Sequence, residues 1–315
     1  MIFNYLYQDK LFKNKRVIDY FKESNETKKI KFSLNISILF FSNIKKFFLL
    51  TFKYFFELIL GFNFFLETFK KKNSEHKNKC IILDDGCSLN KLRKKNMKKF
   101  QDDGNKIFAI NYWNENKKYN KIIPNYLILS DPKIFKSKVD SKNLNLYKRK
   151  NNLLRYINKN SGIILIIPSN FLKYAKKKIN NTILTFSDSE LDFMNIFTNP
   201  FFPRGYFSVP VVNALSVAKW LNFKKIFLLG IDNTFFRYLF SDKKNRILYL
   251  NIKYNKKTSL INYSNYFDST FDYFMYHIKI FRSFETLSKS KNIFNLDEYS
   301  LTSFFKKKKV SEINK

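Results

Sequence analysis

Polar side chains follow apolar runs at three places, and each placement could serve a ligand. In CIILDDGCSLNKL an apolar run gives way to a turn holding Gly86 and Ser88 and then to a helix start. Such a turn suits a phosphate, because glycine lets backbone approach a ligand and a capping serine leaves helix-start N–H groups facing an anion. A plain helix cap explains Ser88 equally well, and one glycine falls short of a dinucleotide fingerprint. In FAINYW, Asn111 ends a second run, and in PNYLILSDPKIF, Asp131 and Pro132 end a third. Any one of these could be an ordinary Asx turn. Together they are candidates for one pocket, since ligands of open α/β sheets bind outside the carboxyl ends of the strands.

The elements that would hold these residues are short buried strands. Runs at Cys80–Leu83, Lys106–Ile110, Tyr126–Leu129, Ile163–Ile167, Ile183–Phe186 and Ile226–Leu229 are rich in Ile, Leu and Phe, as strands covered on both faces are. Helical segments are expected near Leu89–Phe100 and at Val209–Leu221. The alternation predicts an α/β, Rossmann-like parallel sheet with helices on both faces. Asn222, just past the second helix, is expected to take the left-handed cap conformation. The expected organisation is an N-terminal helical segment over 1–77, the sheet domain over 78–308 and a basic polar tail over 309–315. The Lys306–Lys309 run reads as solvated.

The N-terminal segment poses a membrane question. Residues 36–69 are the most apolar stretch, yet Lys45, Lys46, Lys53, Glu57, Glu67, Lys70 and Lys71 share a helical sector roughly 140° wide. Opposite them lie Phe55, Leu58, Phe62 and Phe69. One-sided charge fits a helix lying in an anionic membrane surface, or one packed on the protein's own core, better than a span with Lys53 and Glu57 near its centre.

Composition narrows the rest. A formal charge of +34 attracts polyanions, but the charges are spread along the chain and no compact nucleic-acid-binding motif accompanies them, so no specific nucleic acid is expected as partner. An apolar fraction of 45% excludes global disorder. Cys80 and Cys87 fit neither a metal pair nor a disulfide framework. The start, MIFNYLYQDKLFKNK, lacks the pattern of a secretory signal, which makes the expected location cytoplasmic, peripheral to the inner face of the membrane.

The order of these motifs resembles that of the motility-associated flagellin glycosyltransferases and the hydroxymethylpterin-pyrophosphokinase-like domain. It is more distantly similar to the bacterial lipooligosaccharide sialyltransferases. The shared pattern is G-x-G-P-S-L, a strand ending in Asn, and P-[DN]-Y-x-x-x-x-D-P. Later come a helix and strand closing on G-[IV]-D, here in SVPVVNALSVAKWLNFKKIFLLGIDNTFF, and a closing strand with an S-L-x-x-F helix, here NIFNLDEYSLTSFFKK. This chain departs at the opening, where Asp84 and Asp85 precede Gly86 and the proline is replaced by Cys87. A carboxylate there would repel a donor phosphate unless it turns away or meets a ribose hydroxyl.

The resemblance implies a glycosyltransferase-like enzyme using a nucleotide-activated sugar, such as a sialic-acid-like nonulosonic acid. The acceptor would be a surface glycan or a lipid-linked one. Nucleotide binding would fall to Asp85, Gly86, Ser88, Asn111, Asp131, Gly230 and Asp232. The acceptor base would be His277, in NYFDSTFDYFMYHIKIF, with Arg204 in FFPRGYF and Tyr238 as partners of the departing phosphate. His277 in an aromatic stretch could equally be structural. Without a DxD-type pair other than Asp84-Asp85, transfer is expected to be metal-independent, with no cofactor beyond the nucleotide-sugar donor. Two alternatives stand beside this reading. One is a Mg²⁺-dependent hydroxymethylpterin pyrophosphokinase-like enzyme, and the other a non-catalytic domain binding anionic membrane or nucleic acid.

Overall fold

Strict alternation of side chains along the strands sets the architecture. The computed structural model describes scattered positions over 41–59, then 75–135 (85, 117 and 120 excepted), 144–187, 199–200, 209–231, 239–241, 247–251, 259–262, 280–297 (282 excepted), 300 and 303–313. The chain falls into two units, Met1–Leu49 and Leu50–Lys315. In the first, helical Phe47 and Phe48 meet edge to face at 5.6 Å, and Phe41, Phe48 and Leu49 are exposed. In the second, helical Phe52, Phe56 and Ile59 are exposed as well. Among the described residues no helix is long and apolar enough to cross a membrane.

The second unit carries an eight-stranded sheet. Its strands are β1 (Lys79–Leu83), β2 (Lys106–Ile110), β3 (Tyr126–Ile128), β4 (Ile164–Pro168), β5 (Ile183–Phe186), β6 (Lys225–Leu229), β10 (Ile293–Asn295) and β11 (Lys306–Lys307). They lie in the order β11-β10-β6-β1-β2-β3-β4-β5, and every pairing is parallel. Ile81, Leu83, Ile107, Ala109, Leu127, Leu165, Phe227 and Leu229 point to one face. There they meet α1 (Lys94–Asp102), the short α2 (Pro132–Phe135), α3 (Leu144–Lys159) and α4 (Leu172–Lys178) through residues such as Phe100, Ile134, Leu153 and Ala175. Cys80, Ile82, Phe108, Tyr126, Ile166, Ile226 and Leu228 point the other way, onto α5 (Pro210–Trp220) and a helical segment at 280–288. Each fully buried Leu, Ile or Phe contributes about 1.5–3 kcal/mol, so a one-residue register slip, which would exchange the two faces, is strongly disfavoured. The chain is therefore an α/β Rossmann-like fold with helices on both faces of a parallel sheet.

Local chemistry fixes the helix ends. α5 opens with Pro210 at its first position, where a missing N–H costs nothing. It closes on Asn222 at φ 65°, with Asn222 N–H donating to the Lys219 carbonyl at 3.0 Å and Phe223 N–H to the Ala218 carbonyl at 3.4 Å. These are the two bonds of a Schellman cap. The helix expected near Leu89–Phe100 is instead divided into a 3₁₀ turn, Cys87–Lys91, and α1. Leu92 and Arg93 between them are extended, which buries Leu92 and leaves the carbonyls of Leu89 and Leu92 to accept from the Tyr119 hydroxyl. A separate antiparallel sheet, β7 (Leu239–Ser241), β8 (Ile247–Asn251) and β9 (Ser259–Asn262), has no counterpart in the sequence expectations. Lys306 and Lys307 are exposed and form edge strand β11, and Ile313 returns to the core.

Crossovers from β1 as far as β5 step in one direction, and β6 returns to the other side of β1, so the topological switch lies between β1 and β6. Their loops are fastened together there. The Gly86 N–H donates to the Gly230 carbonyl at 2.9 Å, and the Gly230 N–H donates to Ser88 Oγ at 2.9 Å. Gly230 has φ 79°, and a Cβ on it would stand 2.0 Å from the Asp84 carbonyl oxygen. Gly230→Ala therefore combines a left-handed backbone with a backbone clash that cannot relax. We expect a stability loss of roughly 3 kcal/mol or more in urea unfolding, beyond the 1–3 kcal/mol of a strained conformation alone. An alanine variant as stable as the parent would show that the two loops are not held this closely.

Candidate functional site at the carboxyl edge of the sheet

Loops leaving β6, β1, β2 and β3 emerge at one edge of the sheet, because all four strands run parallel and adjoin. Of the residues expected to bind a nucleotide, Gly86, Ser88, Asn111, Asp131 and Gly230 all stand on these loops. Asp85, Asp232, Arg204, Tyr238 and His277 lie outside the described residues.

At the switch point the polar groups are engaged within the protein. Gly86 has φ −65° and ψ 161°, a conformation open to any residue, and its N–H is given to Gly230. Ser88 is buried, and its hydroxyl accepts from Gly230 rather than capping the 3₁₀ turn, whose N-cap is Gly86. The Asp84 N–H donates to the Leu229 carbonyl at 3.0 Å. The glycine whose geometry this turn requires is Gly230.

Asn111 is built differently. Its φ of 47° is left-handed, which a non-glycine residue adopts only where its surroundings hold it. Three bonds do so: its N–H donates to the Ile128 carbonyl at 2.7 Å, its carbonyl accepts from the Trp113 N–H at 2.9 Å, and its Oδ1 accepts from the Ser130 N–H at 3.0 Å. The side-chain oxygen thus ties the β2 loop to the β3 loop, and Nδ2 has no hydrogen-bond partner among the described residues. Asp131 caps α2, accepting from the Lys133 N–H through Oδ1 at 2.9 Å and from the Ile134 N–H through its carbonyl at 3.0 Å.

A cluster that the sequence reading did not single out stands beside these two. Arg149 of α3 lies over the Tyr112 ring at 4.2 Å and grips Glu115 with two bonds, at 2.7 and 2.8 Å. Hydrogen bonding to Glu115 holds the Arg149 guanidinium above its usual range. Burial, with the Asp131 carboxylate behind it, pushes the Tyr112 phenol up to about 12. One strand beyond β6, the β10 loop buries Asn295, Asp297 and Ser300. There the Asp297 N–H donates to Asn295 Oδ1 at 2.9 Å, and Ser300 Oγ donates to the Ile231 carbonyl at 2.7 Å. Polar residues directly after a strand were the signal for this loop too. The Arg149 contact spans two elements, and no spacing announces it.

Elsewhere, an open hollow of about 630 Å³ is lined by Asn151, Leu154, Arg155, Asn158, Lys159 and Lys178 of α3 and α4. Lys159 and Lys178 close helices that lead into β4 and β5, which puts the hollow toward the amino edge and away from the loops above. Among the described residues no three His, Cys, Asp or Glu side chains gather closely enough to hold a metal ion.

No family model matches the chain, and no curated protein does. Among solved structures it is similar to the MAf glycosyltransferase from Magnetospirillum magneticum AMB-1, with a TM-score of 0.43 and 12% identity, over 76% of this chain and 34% of that one. The chain thus spans about a third of that protein's length, and its fold class rests on the strand order and registers given above.

The Tyr112 phenol gives the site a pH signature. Its proton is held up to about 12 in the native state and released near 10 in an unfolded chain, so the native state binds more protons between those values. Stability from this group is complete below pH 10 and is lost as pH rises toward 12. Tyr112→Phe, which lacks this loss, should therefore gain stability relative to the parent, by urea midpoints, from about pH 9 to about pH 11.5. A difference that stays constant would place the phenol in a solvated setting.

Proposed function

We propose that this protein is a glycosyltransferase-like enzyme that moves a sugar from a nucleotide-activated donor to a glycan or lipid-linked acceptor. The observation that carries the reading is the convergence of Asn111, Asp131 and the Gly86–Gly230 turn at one carboxyl edge beside a topological switch point, the place where open α/β sheets bind nucleotides. The order of sequence motifs supports the same reading. In it, the free Nδ2 of Asn111 serves the donor nucleotide, a sialic-acid-like nonulosonic acid is a candidate sugar, and transfer proceeds without a metal. His277 takes the acceptor proton while Arg204 and Tyr238 meet the leaving phosphate.

A thermal-shift screen of the full chain against CMP, UDP, GDP and ATP, with and without Mg²⁺, tests the donor. One nucleotide should stabilise the protein in the absence of metal. With that nucleotide's sugar conjugate as donor, His277→Ala should cut turnover by about 10²- to 10⁴-fold and leave nucleotide affinity nearly unchanged. An undiminished variant removes His277 from the chemistry. Strict Mg²⁺ dependence with a pterin acceptor would favour the pyrophosphokinase alternative.

The second part of the proposal is peripheral docking on the anionic inner face of the membrane. Phe52 is 75% exposed, Ile59 66% and Phe56 55%, at helical spacings of four and three, with exposed Lys53 beside them. Apolar rings flanked by lysine fit an anionic bilayer surface. The protein should sediment with phosphatidylglycerol-containing vesicles and not with pure phosphatidylcholine. Phe52→Ser with Phe56→Ser should weaken that binding roughly tenfold or more. Equal binding by the double variant would remove this face from the contact, and steep salt dependence without any nucleotide effect would favour the non-catalytic polyanion binder.

A further inference from the structure

A buried polar atom without a partner costs about 1–3 kcal/mol, so proteins seldom leave several close together. Among the described residues, Tyr112 Oη, Asn114 Oδ1 and Ser130 Oγ are buried and have no hydrogen-bond partner, and all three lie in the loops after β2 and β3. Ser130 and Tyr112 stand on the adjoining loops after β3 and β2. The Ser130 N–H is bound to Asn111 Oδ1 at 3.0 Å, Tyr112 follows Asn111, and the phenol senses the carboxylate of Asp131, the residue after Ser130. Asn111 Nδ2 and Asp131 Oδ2 stand in the same loops with no hydrogen-bond partner among the described residues.

Charge decides what such a place accepts. Three charged groups act on the phenol: Asp131, Arg149 and Glu115. Arg149 gives two of its donors to Glu115 and its charge also bears on Asp131, so these three groups together, one guanidinium and two carboxylates, are net negative. A phosphate here would meet a net negative charge, whereas an uncharged group carrying both donors and acceptors would satisfy the two hydroxyls. Vicinal hydroxyls suit Asp131, as acidic residues near strand ends take ribose hydroxyls in dinucleotide sites.

We infer that the ends of β2 and β3 receive the nucleoside half of the donor, with Tyr112 Oη and Ser130 Oγ as its hydrogen-bonding groups. This rests on the nucleotide-donor reading given above. Tyr112→Phe and Ser130→Ala each remove a hydroxyl that nothing among the described residues binds, so the fold should survive, and thermal midpoints at or above the parent's would verify that.

The test is calorimetric titration of the parent and both variants with the mono- and diphosphates of cytidine, uridine, guanosine and adenosine. One base should bind. Each variant should weaken that base's monophosphate and diphosphate by the same factor, about tenfold, because the lost bond touches the part common to both. Two results overturn the inference and leave the donor reading standing: variants that bind as the parent does, or a loss that grows with the number of phosphates. Ordered water filling the place would give the first of these. If no nucleotide binds the parent at all, the inference and the donor reading fall together.

Discussion

The close approach of Gly230 to Asp84 is the contact on which the rest of this edge depends. β1 and β6 are the adjacent strands at which the direction of the crossovers reverses, so any site at the switch point must be built from their loops. A side chain at Gly230 would hold those loops apart, because its Cβ would fall on the Asp84 carbonyl. With glycine there, the Gly86 N–H donates to the Gly230 carbonyl and the Gly230 N–H to Ser88 Oγ across the two loops. Those bonds consume the donors that a phosphate-cradling turn would otherwise present. Rigidity at this turn is obtained at the expense of anion binding by these particular groups.

That trade shifts attention one strand along the sheet. Asn111 is held left-handed by three bonds, and its Nδ2 has no hydrogen-bond partner among the described residues. Ser88 and Asn111 therefore illustrate opposite uses of a small polar residue after a strand. The first closes the structure upon itself, and the second spends its oxygen on the neighbouring loop while its amide nitrogen remains for something else. Sequence position alone treats them alike.

Much of the fold was legible because buried parallel strands leave a plain signature. Runs such as Ile183–Phe186 and Lys106–Ile110 coincide with strands, and Ile163–Ile167 is displaced by a single residue from β4. Asn222 was readable as a left-handed cap because few other residue types tolerate that conformation. The break at Leu92–Arg93 was not readable. It depends on Tyr119, distant in sequence, accepting the role of partner to the carbonyls that the break exposes. The small antiparallel sheet escaped because its strands, such as Leu239–Ser241 and Ser259–Asn262, mix polar with apolar residues and lack the continuous apolar run of a buried parallel strand. In the site, polar residues after strands pointed to Asn111 and Asp131. Tyr112 and Arg149 acquire their meaning only when α3 packs against the β2 loop, which is a tertiary event with no local pattern.

A chain of net charge +34 would be expected to present lysine and arginine wherever an anion is to be bound. The β2–β3 loops run against that bulk tendency. Their guanidinium is neutralised by Glu115, and a carboxylate, Asp131, stands next to buried hydroxyls. An exposed ion pair of this kind adds little stability, with Arg149 and Glu115 side chains 47% and 38% exposed. Its consequence is geometric and electrostatic instead: it fixes the guanidinium over the Tyr112 ring and offsets its charge with that of Glu115. The basic surface elsewhere can still attract anions in general, over about 8–10 Å at physiological salt. The charge at these loops is thus set by individual residues rather than by composition.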